Sequence, residues 1–370
     1  MVSSIWKTLF IRNVGAGRPF LHECPCHARR NVSSIFLVYR LFFSSRSTEG
    51  SYAIENAKLV TNILRDYGFD DTAISKVARL CPSIYRLSAE KNILPKLEFF
   101  ISIGISSSDL PKVLLRRPRV FASSLKNQIA PCYDYLKMFP DCEERFIQML
   151  KYRPGILLSN VDKCLAPNLD LLRGLEIPMS SIAFLVTRCA PAMSRNHDKF
   201  KGFVNQLVAM GMNPLIKTFI SALHVLCAVS KETWEVKVKL YKSFGLSDEE
   251  IISAFKKQPS IMALSVKKLA RTMEFLMNEK SLDKLVIVND PSVLLLSFEN
   301  RIAPRFHVVE ILIKKGLEKK FSYSFFLRLK EEEFLERYCY KFKDELPELM
   351  DIYSEGRSIL KKCESSCFST

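Results

Sequence analysis

The sequence predicts an all-α protein, a superhelical solenoid of about eight helical hairpins, right- or left-handed. Three observations carry this expectation. Prolines recur at a hairpin-like period: Pro82, Pro118, Pro154 and Pro191 are spaced by 36, 36 and 37 residues, Pro259 follows after 68, and Pro291 after a further 32. A second proline stands 13 residues beyond four of these, at Pro95, Pro131, Pro167 and Pro304, and a glycine stands 14 residues before three, at Gly68, Gly104 and Gly245. Glycine is otherwise scarce, 12 of 370 residues, while 48% of the chain is hydrophobic. That composition folds, and it argues against a glycine-rich α/β enzyme or a turn-dense β fold.

The first half of a repeat is clearest from Gly245 to Pro259. Gly245 suits the left-handed position that ends the preceding helix. Ser247 is an N-cap, and Glu250, three residues on, completes a capping box. Ile251, Ile252 and Phe255 give the apolar face. Pro259 lacks an N–H and ends the helix. The second half is clearest from Lys91 to Gly104. Pro95 is expected in the opening turn, where a missing donor is harmless, and Leu97, Phe100 and Ile101 form the buried stripe. Each repeat is thus helix, proline break, helix, glycine turn. One such pair cannot bury both faces, so stacking is required. The solenoid is placed at residues 49–352. The period blurs near Glu176, where glycine is displaced to Gly174, and near Leu226, which has no proline.

Residues 1–48 read as an organelle transit peptide. They hold seven basic residues and one acid, Glu23, hence +6 of the net charge of +16, and they are rich in Ser. Cleavage is expected between Arg40 and Thr48, and 353–370 read as a flexible tail. The body keeps the other +10, which favours polyanions. Eleven scattered cysteines form no C-x-x-C, so free thiols in a reducing compartment are expected and no zinc site. No run of about 20 apolar residues exists, so no membrane span is expected.

Several segments resemble the mitochondrial transcription termination factor (mTERF) family, its plant branch in particular. They are Leu94-Pro-Lys-Leu-Glu-Phe-Phe100, Asn127-Gln-Ile-Ala-Pro131, Ala166-Pro-Asn-Leu-Asp-Leu-Leu172, Met212-Asn-Pro-Leu215 and Ser230-Lys-Glu-Thr-Trp-Glu-Val-Lys-Val238. Glu299-Asn-Arg-Ile-Ala-Pro-Arg305, Phe334-Leu-Glu-Arg-Tyr338 and Pro347-Glu-Leu-Met350 continue the likeness, which covers about residues 55–352. The resemblance implies a curved α-solenoid in a mitochondrion, alternatively a chloroplast. It implies binding of organellar double-stranded DNA, alternatively RNA, in regulating organelle gene expression through transcription termination or transcript processing.

Two columns of basic residues recur with the repeat. One precedes the helix-ending proline: Arg79, Arg116 with Arg117, Lys151 with Arg153, Arg188, and Lys256 with Lys257. The helix dipole alone would favour cations there. The other lies at the start of the second helix: Lys91, Lys126, Lys163, Lys199, Lys268 with Arg271, and Arg301. The dipole disfavours cations there, so a docked phosphate is one explanation. Pairing with Glu90, Asp162, Asp198 or Glu299 is the other. Arg116-Arg-Pro-Arg119 is the densest basic patch of the body, and Arg305 lies with Arg301 about Pro304. Candidate phosphate contacts are therefore Lys91, Arg116, Arg117, Arg119, Lys126, Lys163, Lys199, Lys268, Arg271, Arg301 and Arg305.

A single-stranded target would call for exposed aromatics among these charges, but Phe99, Phe100, Phe275 and the Phe321–Phe326 run fall at core spacing. No nucleophile, paired-carboxylate or phosphate-loop pattern occurs, so no enzyme activity, cofactor, metal or small-molecule substrate is expected. The expected partner is organellar DNA or RNA, bound by a monomer. The alternative is a protein-interaction scaffold in organelle RNA metabolism or ribosome assembly. A pentatricopeptide-type RNA reader would need paired polar columns, and none is found.

Overall fold

The computed structural model describes residues 48–138, 143–318 and 322–354. The transit-peptide reading, apart from Thr48, and the tail beyond Ser354 lie outside them. The chain is all-α, as the sequence predicts, and no strand occurs among the described residues. It forms two compact units, one ending at Ile220 and the other beginning at Ser221.

The amino-terminal unit opens with α1 (Thr48–Asp66). Three hairpins follow: α2 (Asp71–Leu80) with α3 (Leu94–Ser102), α4 (Leu110–Arg116) with α5 (Ala130–Leu136), and α6 (Glu143–Tyr152) with α7 (Ala166–Gly174). A fourth pairs α8 (Met179–Arg188), through the short α9 (Ala190–Met193), with α10 (His197–Ala209). First helices stack in one layer, α2 on α4 on α6 on α8, and α7 packs on α10 in the other. Leu64, Val77, Phe100, Phe121, Leu150 and Phe200 lie in the core. Proline turns therefore fall along one edge of the stack and glycine turns along the other.

α11 (Lys217–Ala228) spans the division between units. The carboxy-terminal unit continues with α12 (Lys231–Ser243), then α13 (Asp248–Lys257) with α14 (Val266–Met273), α15 (Leu285–Asn289) with α16 (Ala303–Lys314), and α17 (Tyr323–Arg328) with α18 (Glu331–Tyr338). Residues 349–354 are again helical, and Tyr353, assigned to the tail from sequence, is buried against Phe334. Trp234 of α12 packs edge-on against Phe255 of α13, with ring centroids 5.2 Å apart.

The sequence signals act as expected at helix ends. Ser247 and Glu250 form the capping box of α13. Gly68, Gly104 and Gly245 take positive φ of 86°, 94° and 81°, closing their helices without the strain a Cβ would bring. Where glycine is displaced, Glu176 itself adopts φ 55° and makes the same closing hydrogen bonds, Glu176 N to Arg173 O and Ile177 N to Leu172 O.

The second proline of each repeat departs from expectation. The second helices start at caps Ser88, Ser124, Asn160 and Ser297, seven residues before Pro95, Pro131, Pro167 and Pro304. Each opens with a π turn, Ala89–Ile93, Leu125–Ile129, Val161–Leu165 and Phe298–Ile302, before continuing as α-helix. These prolines thus lie in the second turn, not the first. A proline there cannot donate, and its ring crowds the carbonyl one turn back; widening the preceding turn by one residue relieves both. The contrast is internal: the proline-free starts at Asn196, Ser230 and Ser265 open as ordinary α-helix.

The residue after that proline has a shared task. Lys96, Cys132, Asn168 and Arg305 each donate to carbonyls at the break between the next repeat's two helices: Phe121 O, Ile156 O and Met193 O with Arg195 O at proline turns, and Phe326 O with Leu329 O at a proline-free one, respectively. Lys237, on the proline-free α12, does the same to Met262 O at 2.6 Å. These turns leave buried carbonyls without helical partners, and each must be satisfied from elsewhere. The missing proline near Leu226 fits this scheme. α11 runs unbroken there, offering no such turn, and α10 carries the apolar Phe203 seven residues after its cap, where α12 carries Lys237.

Asn168 is fully buried and also bonds His197 Nδ1 at 3.0 Å. Asn168→Ala strands two carbonyls and is expected to lower stability by about 2–3 kcal/mol, checked by urea denaturation of the full chain.

Candidate nucleic-acid interface

Both basic columns flank the proline turns, so in the amino-terminal unit they share one edge. There Lys91, Lys163 and Lys199 occupy the third helical position, and their backbone N–H groups bond the caps Ser88, Asn160 and Asn196. Lys126 stands at the second position after Ser124. All four side chains are exposed. The proposed local neutralisation does not occur: Glu90, Asp162 and Asp198 form no ion pair with them among the described residues. Four cations at the dipole's positive end, with no ion-pair partner among the described residues, form an electropositive row.

Arg116, Arg117 and Arg119 are exposed on the same edge. Arg117 lies across Gly155 of the next repeat, where an added Cβ would stand 3.3 Å from its Cγ. Arg116 lies over the Tyr152 ring, 5.2 Å from its centroid. Arg79, Arg153 and Arg188 are exposed nearby, whereas Lys151 is held by Asp109 at 2.7 Å. That contact keeps the Asp109 carboxyl below the usual carboxylate range.

In the carboxy-terminal unit Lys257, Lys268, Arg271, Arg301 and Arg305 of these columns contact the next repeat. Arg305 is fully buried. Its Nη1 donates to Phe326 O and Leu329 O, both at 2.8 Å, its Nη2 reaches Glu331 at 3.2 Å, and its guanidinium lies 4.5 Å from the Phe334 centroid. It therefore cannot contact phosphate, which corrects the sequence assignment. Lys268 donates to Leu295 O at 2.9 Å, and Arg301 to Leu329 O at 3.5 Å. Arg271 pairs with Glu299 at 2.7 Å and covers Phe298. Lys257 of the first column donates to Val288 O. Lys268, Arg271 and Arg301 are half-exposed and each already makes a contact to the next repeat, which sets them apart from the exposed row of the amino-terminal unit.

The aromatics follow the sequence reading in part. Phe100 and Phe275 are buried, and Phe99 meets Phe100 and Tyr133 edge-on. Phe326 is buried but Phe325 is 44% exposed, and Phe321 lies outside the described residues. Sequence reasoning missed Tyr152, 65% exposed among the arginines; its place as last residue of a first helix, 36 after Arg116, was the available signal. Among the described residues no cluster of metal-ligating side chains occurs, and no helix is long and apolar enough to cross a membrane.

Among the described residues, Cys81, Cys132, Cys164, Cys189 and Cys339 form no disulfide. Burial pushes the Cys132 and Cys189 thiols up to about 12. Neither should react with an aromatic disulfide reagent at about pH 8, where thiolate is required, until denaturant exposes them; absorbance of the released thiolate checks this.

Fold and edge together define an all-α hairpin-repeat protein with a basic proline edge. The chain belongs to the mTERF family, whose family model matches residues 61–285 and 256–335. It is similar to three curated proteins of Arabidopsis thaliana. "Transcription termination factor MTERF8, chloroplastic" is 19% identical over 69% of this chain and 50% of the relative. "Transcription termination factor MTEF18, mitochondrial" is 23% identical over 69% and 43%, and "Transcription termination factor MTERF15, mitochondrial" 20% over 69% and 48%. The chain spans about half the length of the curated relatives it matches.

Proposed function

We propose that this chain binds organellar nucleic acid along the proline edge of its amino-terminal unit and acts there in gene expression, in transcription termination or transcript processing. The observation that carries the reading is the row Lys91, Lys126, Lys163 and Lys199: exposed, one per repeat, each at a capped helix start. The cap side chain takes one amide and leaves others facing outward, so a phosphate gains both backbone donors and a cation. Arg116, Arg117 and Arg119 add forked donors suited to phosphate oxygens. The names of the relatives, all organellar transcription termination factors, support the setting in a mitochondrion or chloroplast. No catalytic step is part of this reading.

The test is a salt titration of binding to duplex DNA and to single-stranded RNA. A phosphate-binding edge loses affinity steeply and log-linearly as salt rises. Negligible affinity for both at low salt would leave the protein-scaffold alternative in its place.

A further inference from the structure

The last residues of α2, α4, α6 and α8 are Leu80, Arg116, Tyr152 and Arg188, spaced 36 apart throughout. They form a column along the proline edge, and Arg116 of one repeat touches Tyr152 of the next. A helix C-terminus favours cations, and two of the four positions hold arginine. Tyr152 answers no such demand. It is 65% exposed and contributes little to the core. Arg116 lies on its ring, and the exposed Arg117 and Arg153 follow these two residues directly in the chain. Phe184, one turn before Arg188, is a further exposed ring at 48%. An arginine held on one side of an exposed ring orients that ring and leaves surface for a second planar group.

We propose that Arg116 and Tyr152 form a stacking platform for an unpaired base, so that the proline edge takes single-stranded nucleic acid in preference to duplex. This rests on the nucleic-acid reading above and names its substrate class. In a duplex the base faces are covered by neighbouring pairs, so an exposed ring gains nothing from them. A single strand offers its π-faces, and stacking on an aromatic flanked by cations is indifferent to sequence. The arginines and the lysine row hold the backbone while the ring takes the base.

The experiment compares the full chain with Tyr152→Ala and Tyr152→Phe. Each is titrated with an unstructured uridine-rich RNA, the matching single-stranded DNA, and a blunt DNA duplex. Tyr152→Ala is expected to weaken single-strand binding about tenfold, to leave duplex binding within about twofold, and to leave the salt slope unchanged, because the ring carries no charge. Tyr152→Phe should bind as the unaltered chain does. A selective loss on either single strand supports the platform. Equal losses on single strand and duplex, or no loss, overturn it while leaving the nucleic-acid reading intact. If the unaltered chain binds none of the three at low salt, both fall. Unchanged circular dichroism melts show that any loss is local.

Discussion

Replacing Lys91, Lys126, Lys163 and Lys199 together by glutamine is expected to make the log–log dependence of nucleic-acid affinity on salt shallower by about 3. Each phosphate neutralised contributes roughly 0.7–0.9 to that slope, and the four ammonium groups stand one per repeat along one edge. All are exposed, so the fold should tolerate the change, with a melting temperature close to that of the parent. Affinity at low salt should fall by orders of magnitude. Lys268→Gln is the internal control. It occupies the same third helical position after Ser265, but its amine donates to Leu295 O. Its replacement should lower stability and leave the slope unchanged. Fluorescence anisotropy across a range of salt concentrations separates the two outcomes.

Arg305→Ala is expected to give the largest loss of stability, about 3–5 kcal/mol, from stranded carbonyls at roughly 1–3 kcal/mol each and the cavity left by a fully buried side chain. The change strands the carbonyls of Phe326 and Leu329, removes the partner of Glu331, and uncovers Phe334. Tyr353 also bonds Glu331 at 3.0 Å, so residues beyond α18 lose their anchor. In a repeat protein such damage stays close to the site. Faster amide exchange should therefore appear over 323–354 and not over 71–209. Arg305→Lys should rescue little, because one ammonium cannot replace a planar fork with several donors. The salt slope of binding should not move, which separates this arginine from those on the amino-terminal edge.

These two residues show how far the sequence could be read. The hairpin period, the caps and the glycine closures were legible because each rests on local chemistry: a missing N–H, a serine oxygen, a positive φ. The basic columns were legible as a periodicity. Their division into exposed and structural members was not, because Lys163 and Lys268 both stand three residues after their caps, and nothing local shows that Lys268 reaches Leu295 O of the next repeat. Arg305 follows its proline as Lys96 and Asn168 do, and that shared position was the signal that it faces the next repeat. The π turns were unreadable from the proline alone, since a first-turn proline and a π-accommodated one look alike until the cap is located. Tyr152 was not legible from core spacing, because an isolated ring at a helix end has none.

Ultraviolet crosslinking of the full chain to bound nucleic acid, with the modified peptides mapped by mass spectrometry, addresses the central claim most directly. Crosslinks confined to segments 79–91, 116–126, 152–163 and 188–199 are the predicted result, since these hold the cations and ring of the proline edge. Crosslinks concentrated at the glycine turns, or in the carboxy-terminal unit around Lys268 and Arg305, would contradict it.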